Sequence, residues 1–167
     1  NIALEITKSD LDSCSIVLGY QSDKVADVIK DLNINPILNP LWKEGQASSL
    51  KAALNSLTSS YSDLLIMLGD LPGIKSGHIN RIIEEHLSSE NRRSKITIPS
   101  FKGEKGNPVI WGRSFFHDLS NLEGDVGGRV LFSQHPAAIN LIEMDDPSVV
   151  TDTDTPEDFK KFLSNGA

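Results

Sequence analysis

The feature that most constrains the fold is a repeated alternation of short apolar runs with stretches of helical period. Residues 64–68 are five apolar residues in a row, which is typical of a strand covered on both faces. Segments with apolar residues at helical spacing flank this run. Their apolar positions are Leu50, Ala53, Leu54 and Leu57 before it, and Ile79, Ile82, Ile83 and Leu87 after it. Strands that alternate with helices predict an α/β domain with a mostly parallel central sheet.

The rest of the chain continues the same pattern. Further strands are predicted at 14–19, 34–38, 95–99, 108–111 and 139–144, and further helices after Ser22 and after Thr155. Pro36 favours an edge position for its strand. No repeat or linker divides the 167 residues, so we expect one domain over residues 1–167. The chain opens on helical material without a strand before it, so either the fold is unusual or its first element is absent.

Composition excludes several classes of function. The net charge of −7 argues against a nucleic-acid partner, because such proteins usually carry a basic face. No apolar stretch approaches the ~20 residues that span a membrane, and no signal peptide opens the chain, so we expect a cytoplasmic protein. A single cysteine excludes an intramolecular disulfide and a cysteine-rich zinc site, and the four histidines lack metal-ligand spacing.

Asp70 is the first candidate for chemistry. It follows the buried run directly, in Gly69-Asp70-Leu71-Pro72, and ligands of α/β sheets bind beyond the carboxyl ends of the strands. A carboxylate at that position suits Mg²⁺, which binds one or two protein carboxylates together with phosphate oxygens. A structural role in an Asx turn or a helix cap fits the local sequence equally well.

The acidic segment 152–158 is the second candidate. Glu157 and Asp158 suit the first turn of the last predicted helix, where acids interact favourably with the helix dipole. Asp154 precedes that helix, and we expect it either to cap the helix or to share a metal ion with Asp70. In the second case their carboxylates should lie on the order of 4–7 Å apart.

Two further regions have the composition of binding loops. Residues 39–50 form a strand end, a loop and a helix start, whose free N–H groups and the hydroxyls of Ser48 and Ser49 suit a nucleotide. Residues 103–108 and 124–129 are glycine-rich and contain a cation and an amide, as a phosphate or pterin pocket requires. Simple helix capping and plain turns explain these sequences as well.

Taken in order, the motifs resemble those of the molybdenum cofactor cytidylyltransferases and related MobA-like nucleotidyltransferases. The matching segments are 17–20, 39–50, 69–72, 106–109, 124–129 and 154–158. The resemblance implies a Rossmann-like, three-layer domain that transfers CMP or GMP from CTP or GTP to the phosphate of molybdopterin and releases pyrophosphate. It also implies that a molybdoenzyme or a chaperone is a possible partner.

The resemblance assigns roles to individual residues. It makes Asp70 the catalytic Mg²⁺ ligand and Asp154 the second metal carboxylate. The residues assigned to nucleotide binding are Asn39, Gly45, Ser48, Ser49 and Gly69. Those assigned to the acceptor are Gly106, Asn107, Asp125 and Arg129.

One part of the family pattern has no counterpart here. Members of the family begin with a strand and a glycine-rich loop whose Arg and Lys hold the triphosphate, so we expect this chain to lack the first βα unit, about 30 residues. Two alternatives stay open. The acceptor could be a sugar phosphate or a sugar acid on the same fold, or the domain could bind a nucleotide without catalysis.

Overall fold

The computed structural model describes residues 2–58 and 60–151 of the chain. Its helices are α1 (Ile2–Thr7), α2 (Ser22–Ile29), α3 (Gln46–Ser56), α4 (Ser76–Ser88) and α5 (Phe116–Ser120). Its strands are β1 (Ser15–Leu18), β2 (Asn35–Leu38), β3 (Asp63–Ile66), β4 (Ile96–Phe101), β5 (Glu104–Lys105), β6 (Val109–Gly112) and β7 (Ile139–Glu143). The helix predicted after Thr155 lies outside the described residues.

The strands form two sheets. β1 and β2 pair in parallel, with Ile16 opposite Pro36, so the proline-containing strand lies at an edge as predicted. The larger sheet has the order β3-β6-β4-β5, and β7 pairs with β4. Within it, β7 runs parallel to β4, whereas β6 is antiparallel to both of its neighbours and β5 is antiparallel to β4. The α/β fold is therefore confirmed, but the sheet is mixed rather than mostly parallel.

The turn at Lys102 and Gly103 explains the antiparallel strands. Both residues have positive φ, 50° and 82°, and Phe101 pairs with Glu104 directly across them. Two central residues with positive φ make the tight turn that best suits a β-hairpin. The chain therefore returns beside β4 without a crossover helix. The sequence indicated this turn between two strands, and the error was to place those strands in a mostly parallel sheet.

The core lies on both faces of the larger sheet. In β6, Ile110 belongs to the cluster under α4, together with Ile79 and Ile82. Its neighbour Trp111 belongs to the cluster on the other face, with Leu50 of α3. Successive residues of a strand point to opposite faces, so the sheet is covered twice and the domain has three layers, as expected.

A buried polar network fixes the edge of the sheet where β3 begins. His86 is 1% exposed; its Nδ1 lies 2.8 Å from Thr97 Oγ1, and its Nε2 lies 3.1 Å from Asp63 Oδ1. Asn140 Nδ2 donates to the same Thr97 oxygen. The ionised carboxylate of Asp63 can only accept, so His86 Nε2 donates to it. His86 is thus a packed residue that connects α4 to β3 and β4.

None of the helices in the described part of the chain combines the length and the hydropathy needed to cross a membrane.

Candidate active site

Two of the predicted motifs meet where β3 ends. Ile66 of β3 pairs with Val109 at the start of antiparallel β6. Asp70 follows Ile66 by four residues and Asn107 precedes Val109 by two, so both lie at the same edge of the sheet. This is also the edge where β4 and β7 end, because β3, β4 and β7 run in one direction.

Asp70 is half-buried at this edge. The next residue, Leu71, is 2% exposed and packs in the core cluster under α4, which anchors the loop. Gly69, on the other side of Asp70, is exposed, and a Cβ added to it would have no atom within 4 Å. The loop therefore places Asp70 between a core-anchored leucine and an exposed glycine.

The side chain of Asn39 organises the loop that follows β2. Asn39 is 2% exposed, and its Nδ2 donates to Ser48 Oγ at 2.9 Å and to Ser49 Oγ at 3.1 Å. Its Oδ1 accepts from the N–H of Leu41 at 3.0 Å. The three predicted residues are thus brought together, but the amide of Asn39 is engaged by the loop itself. Its role in this arrangement is to position the two hydroxyls.

Gly45 brings this loop against the segment 124–129. It has φ +100°, and a Cβ there would lie 2.6 Å from the backbone of Gly124 and Asp125. Next to it, Gln46 N–H donates to Asp125 Oδ1 at 3.2 Å, and Ala47 N–H donates to the carbonyl of Gly124 at 3.2 Å. The first two N–H groups of α3, which we expected to be free for a nucleotide, are therefore occupied. Asp125 acts as the N-terminal cap of α3 from 79 residues away.

The same segment reaches the turn before β6. Gly128 packs on the Trp111 ring so closely that a Cβ would lie 2.6 Å from it. Arg129 is exposed, and its Nη2 donates to the carbonyl of Lys105 at 3.3 Å. Residues 124–129 thus connect the start of α3 to the predicted acceptor turn. The structure places the two loops predicted for the acceptor beside each other.

Gly106 and Asn107 are held by the segment that follows β7. The N–H of Asn107 donates to the carbonyl of Val149 at 2.8 Å, and Gly106 packs so closely on that carbonyl that a Cβ would overlap it. The peptide bond between Asn107 and Pro108 is cis. Gly106 is therefore required for packing, and the side chain of Asn107 is the part of this turn that a ligand can use.

A cavity of about 500 Å³ lies beside the loop that follows β2. It is lined by residues 39–41 and Glu44, by the face of α3 that includes Ser48, Lys51 and Asn55, and by residues 123–124. Its described lining does not include Gly69, Asp70 or Asn107.

Carboxylates that the sequence interpretation missed also lie at this edge. Glu143 accepts from Ser100 Oγ at 2.7 Å and from the N–H of Lys102 at 2.6 Å, and these bonds lower its pKa. Asp146 caps the turn that follows, and bonds from Ser148 lower its pKa. Both stay ionised near neutral pH and fix loops. Asp146-Pro147-Ser148 at a strand end is a turn pattern that the sequence already offered.

Asp70 is the one of the two predicted metal ligands that lies among the described residues. Among residues 2–58 and 60–151, no group of three or more His, Cys, Asp and Glu side chains is placed to hold a metal ion. Asp154 lies outside the described residues, and so does its predicted distance from Asp70. The expectation of a two-carboxylate site therefore stays a prediction.

Comparison with known protein families matches residues 2–139 to the MobA-like NTP transferase domain. The chain belongs to the MobA-like NTP transferase family. This confirms the family that the motifs indicated.

Among curated proteins, the chain resembles bifunctional enzymes at low sequence identity. The chain is 24% identical over 112 residues to the bifunctional protein GlmU of Prochlorococcus marinus strain MIT 9211, a match that covers 67% of this chain and 24% of that protein. This chain thus spans about a quarter of the length of the curated relatives it matches.

Solved structures show the same fold. Rv0371c from Mycobacterium tuberculosis H37Rv superposes with a TM-score of 0.79 at 22% identity, covering 97% of this chain and 81% of that one, and it has also been solved in complex with manganese. The 4-diphosphocytidyl-2C-methyl-D-erythritol synthase of Anaerococcus prevotii gives a TM-score of 0.76 at 14% identity, covering 98% and 84%. At these identities the likeness shows the fold alone.

Proposed function

We propose that this protein transfers CMP or GMP from CTP or GTP to the phosphate of molybdopterin and releases pyrophosphate. The observation that carries the proposal is the set of contacts that joins the predicted nucleotide loop to the predicted acceptor loops, in a chain of the MobA-like NTP transferase family. Residues 39–49 contact residues 124–127, which connect to the turn before β6, and that turn lies at the same end of the sheet as Asp70.

In this proposal the loop 39–49 and Gly69 bind the nucleotide. Asn39 donates to both Ser48 and Ser49, and Ser48 donates its own proton to the carbonyl of Gly45 at 2.8 Å. Among the described residues Ser49 only accepts a bond, so its hydroxyl proton is available to an acceptor atom on the base or the sugar. The diphosphocytidyl compound in the name of the Anaerococcus neighbour supports a cytosine nucleotide.

Asp70 and Asp154 would hold Mg²⁺. Carboxylates fit this ion, which binds oxygen ligands and retains positions for phosphate oxygens. The manganese complex of the mycobacterial neighbour supports a divalent cation in this fold. When bound, the ion would neutralise charge on the phosphates. If Asp154 does not share the ion, Asp152 or Asn107 is the next candidate.

Gly106, Asn107, Asp125 and Arg129 would form the acceptor side. The guanidinium of Arg129 is exposed and is held toward the turn by the carbonyl of Lys105. An arginine fixed in this way can bind a phosphate through two parallel hydrogen bonds. Asp125 contributes indirectly, because it fixes α3 and the nucleotide loop against the acceptor loop.

The reaction would be an in-line displacement. An oxygen of the acceptor phosphate forms a bond to the α-phosphorus of the nucleotide, and the bond to pyrophosphate breaks with its electron pair. The chain has only to orient the two substrates and stabilise charge, so no covalent protein intermediate is required. This fits an edge that carries carboxylates, an amide and an arginine.

A second acceptor class is favoured by the named relatives. The Anaerococcus neighbour is the synthase of a diphosphocytidyl-methylerythritol, so a phosphorylated sugar or sugar alcohol is the alternative to molybdopterin. The nucleotide half of the site would be unchanged. Only the ligand of Asn107 and Arg129 would differ.

Pyrophosphate release tests both possibilities. The full-length protein is incubated with Mg²⁺, one of the four ribonucleoside triphosphates, and either molybdopterin or a panel of sugar phosphates. We expect release with CTP or GTP that requires molybdopterin. Release that requires a sugar phosphate instead would establish the alternative. Nucleotide binding without turnover with any acceptor would contradict a catalytic role.

A further inference from the structure

Two aromatic rings lie side by side just beyond the carboxyl ends of β1 and β2. Tyr20 is 68% exposed and Trp42 is 37% exposed. Their ring centroids are 5.5 Å apart and their planes are inclined by 52°, so the two rings form the walls of a shallow cleft, which we call the aromatic wedge. Aromatic side chains contribute most where they are buried, in a core or at an interface. An exposed pair therefore points to a ligand.

The second tryptophan of the chain shows the contrast. Trp111 is buried and stacks on Phe132, with ring centroids 5.6 Å apart, in the core cluster that contains Leu50 of α3. Among the described residues, Trp42 belongs to neither core cluster. Packing in the core therefore accounts for Trp111 and does not account for the exposed surface of Trp42.

The position of the Trp42 ring is fixed by the backbone around it. Gly19, directly after β1, packs so closely on Trp42 that a Cβ at Gly19 would lie 2.5 Å from the Cβ of the tryptophan. Trp42 also begins the short 3₁₀ turn Trp42–Glu44, and its carbonyl accepts from the N–H of Gly45 at 3.4 Å. The ring is thus a preorganised surface within the loop 39–49, which we propose above to bind the nucleotide.

A cation lies beside the aromatic wedge. Lys43 Nζ is 5.5 Å from the centroid of the Trp42 ring. Glu44, the next residue of the same turn, lines the cavity beside α3. Exposed aromatic rings next to a positive charge are the combination with which proteins hold the bases and the phosphates of a nucleic acid strand. The same chemistry suits one nucleotide.

We propose that Tyr20 and Trp42 stack the base of the nucleotide substrate, an inference that rests on the proposed function. The planar base lies against one ring and meets the other with its edge, the two arrangements that aromatic rings favour. The ammonium group of Lys43 adds positive charge for the phosphates. Every base has a π-face, so the aromatic wedge accepts cytosine and guanine alike and supplies affinity rather than a choice between them.

Tryptophan fluorescence of the full-length protein reports contact with the base. CTP and GTP, added with Mg²⁺, should quench the emission of the unchanged protein, whereas tripolyphosphate, which has the charge without the base, should not. Trp42→Phe retains an aromatic ring but removes this indole. The quench should therefore disappear in Trp42→Phe, while its affinity for CTP, measured by calorimetry, stays within about threefold of that of the unchanged protein.

Calorimetric titration of further variants separates stacking from a structural role. Tyr20→Leu and Trp42→Ala should each weaken the binding of CTP and GTP by about tenfold and leave the binding of tripolyphosphate unchanged. The matched control is Leu38→Ala, because Leu38 is nearly as exposed as Tyr20, at 65%, and has no aromatic ring. It should bind both nucleotides as the unchanged protein does. If Trp42→Ala unfolds, Tyr20→Leu alone decides, since the exposed Tyr20 ring is not required for the fold.

Three results would overturn the inference. Unchanged binding of CTP and GTP by the folded variants would remove the aromatic wedge from the nucleotide site and leave the proposed function intact. An equal loss of affinity for tripolyphosphate would show that the rings only hold the loop in place. Quenching by a free pterin, but not by CTP or GTP, would assign the rings to the acceptor. An unchanged protein that binds neither CTP nor GTP would contradict the proposed function itself, and the inference with it.

Discussion

Gly45→Ala is the substitution whose effect the structure predicts in most detail. The backbone of Gly45, with φ +100° and ψ −178°, is in a region open essentially to glycine alone, and a side chain there costs about 1–3 kcal/mol. The added Cβ would also lie 2.6 Å from backbone atoms of Gly124 and Asp125, which cannot rotate away as a side chain would. Together we expect a loss of about 3 kcal/mol in the free energy of unfolding, or roughly 6–12 °C in Tm.

Gly103→Ala is the matched control. Gly103 also has positive φ, +82°, but a Cβ there has no atom within 4 Å, so the substitution should cost only about 1 kcal/mol. Urea unfolding measures both variants. Titration with CTP should show about tenfold weaker binding for Gly45→Ala, equivalent to about 1.4 kcal/mol, and no change for Gly103→Ala. Equal destabilisation by the two variants would refute the argument that Gly45 joins the two loops.

Two further variants test the polar networks. Burial works to raise the pKa of Asp63, but hydrogen bonds from Ser62, His86 and Arg92 hold it below its ordinary value of 3.8. The ionised carboxylate therefore stabilises the fold fully above pH 3.8, and this contribution is lost as the pH falls through the lowered pKa. Asp63→Asn should therefore lower the free energy of unfolding at neutral pH. It should also make that free energy fall less steeply as the solution is acidified from about pH 5, as measured by urea unfolding across pH. Asn39→Ala should lower the free energy of unfolding by about 2–3 kcal/mol, because it removes three hydrogen bonds at a buried position. A loss below about 0.5 kcal/mol in the same assay would show that the loop does not depend on Asn39.

Local patterns of the sequence predicted much of the fold. The run 64–68 correctly indicated a strand, β3, but that strand is half-buried rather than covered on both faces. The apolar spacing of Ile79, Ile82 and Ile83 correctly indicated a helix that buries these residues. Leu87, the last position of that pattern, is exposed, and His86 is buried instead. The order of the motifs along the chain indicated the family, and the family match confirms it.

Features that depend on distant residues could not be predicted in this way. Asp125 caps a helix 79 residues earlier in the chain, and the sequence around it shows only a glycine-rich loop. The bonds of His86 to Thr97 and Asp63 connect two strands and a helix whose juxtaposition the sequence does not specify. The antiparallel course of β6 is the exception, since the Lys102-Gly103 turn offered a local reason for it.

The most direct test of the proposed function is pyrophosphate release by Asp70→Asn in the full-length protein, measured beside the unchanged full-length protein with Mg²⁺, CTP or GTP, and molybdopterin. Asp70 is half-buried at the end of β3, and asparagine matches its shape while it removes the charge that would hold the cation. We expect the unchanged protein to release pyrophosphate, and the variant to lose nearly all activity while its Tm stays close to that of the unchanged protein. A variant that keeps its activity, or one that loses stability in step with activity, would contradict the assignment of Asp70 as the metal ligand of a nucleotidyltransferase.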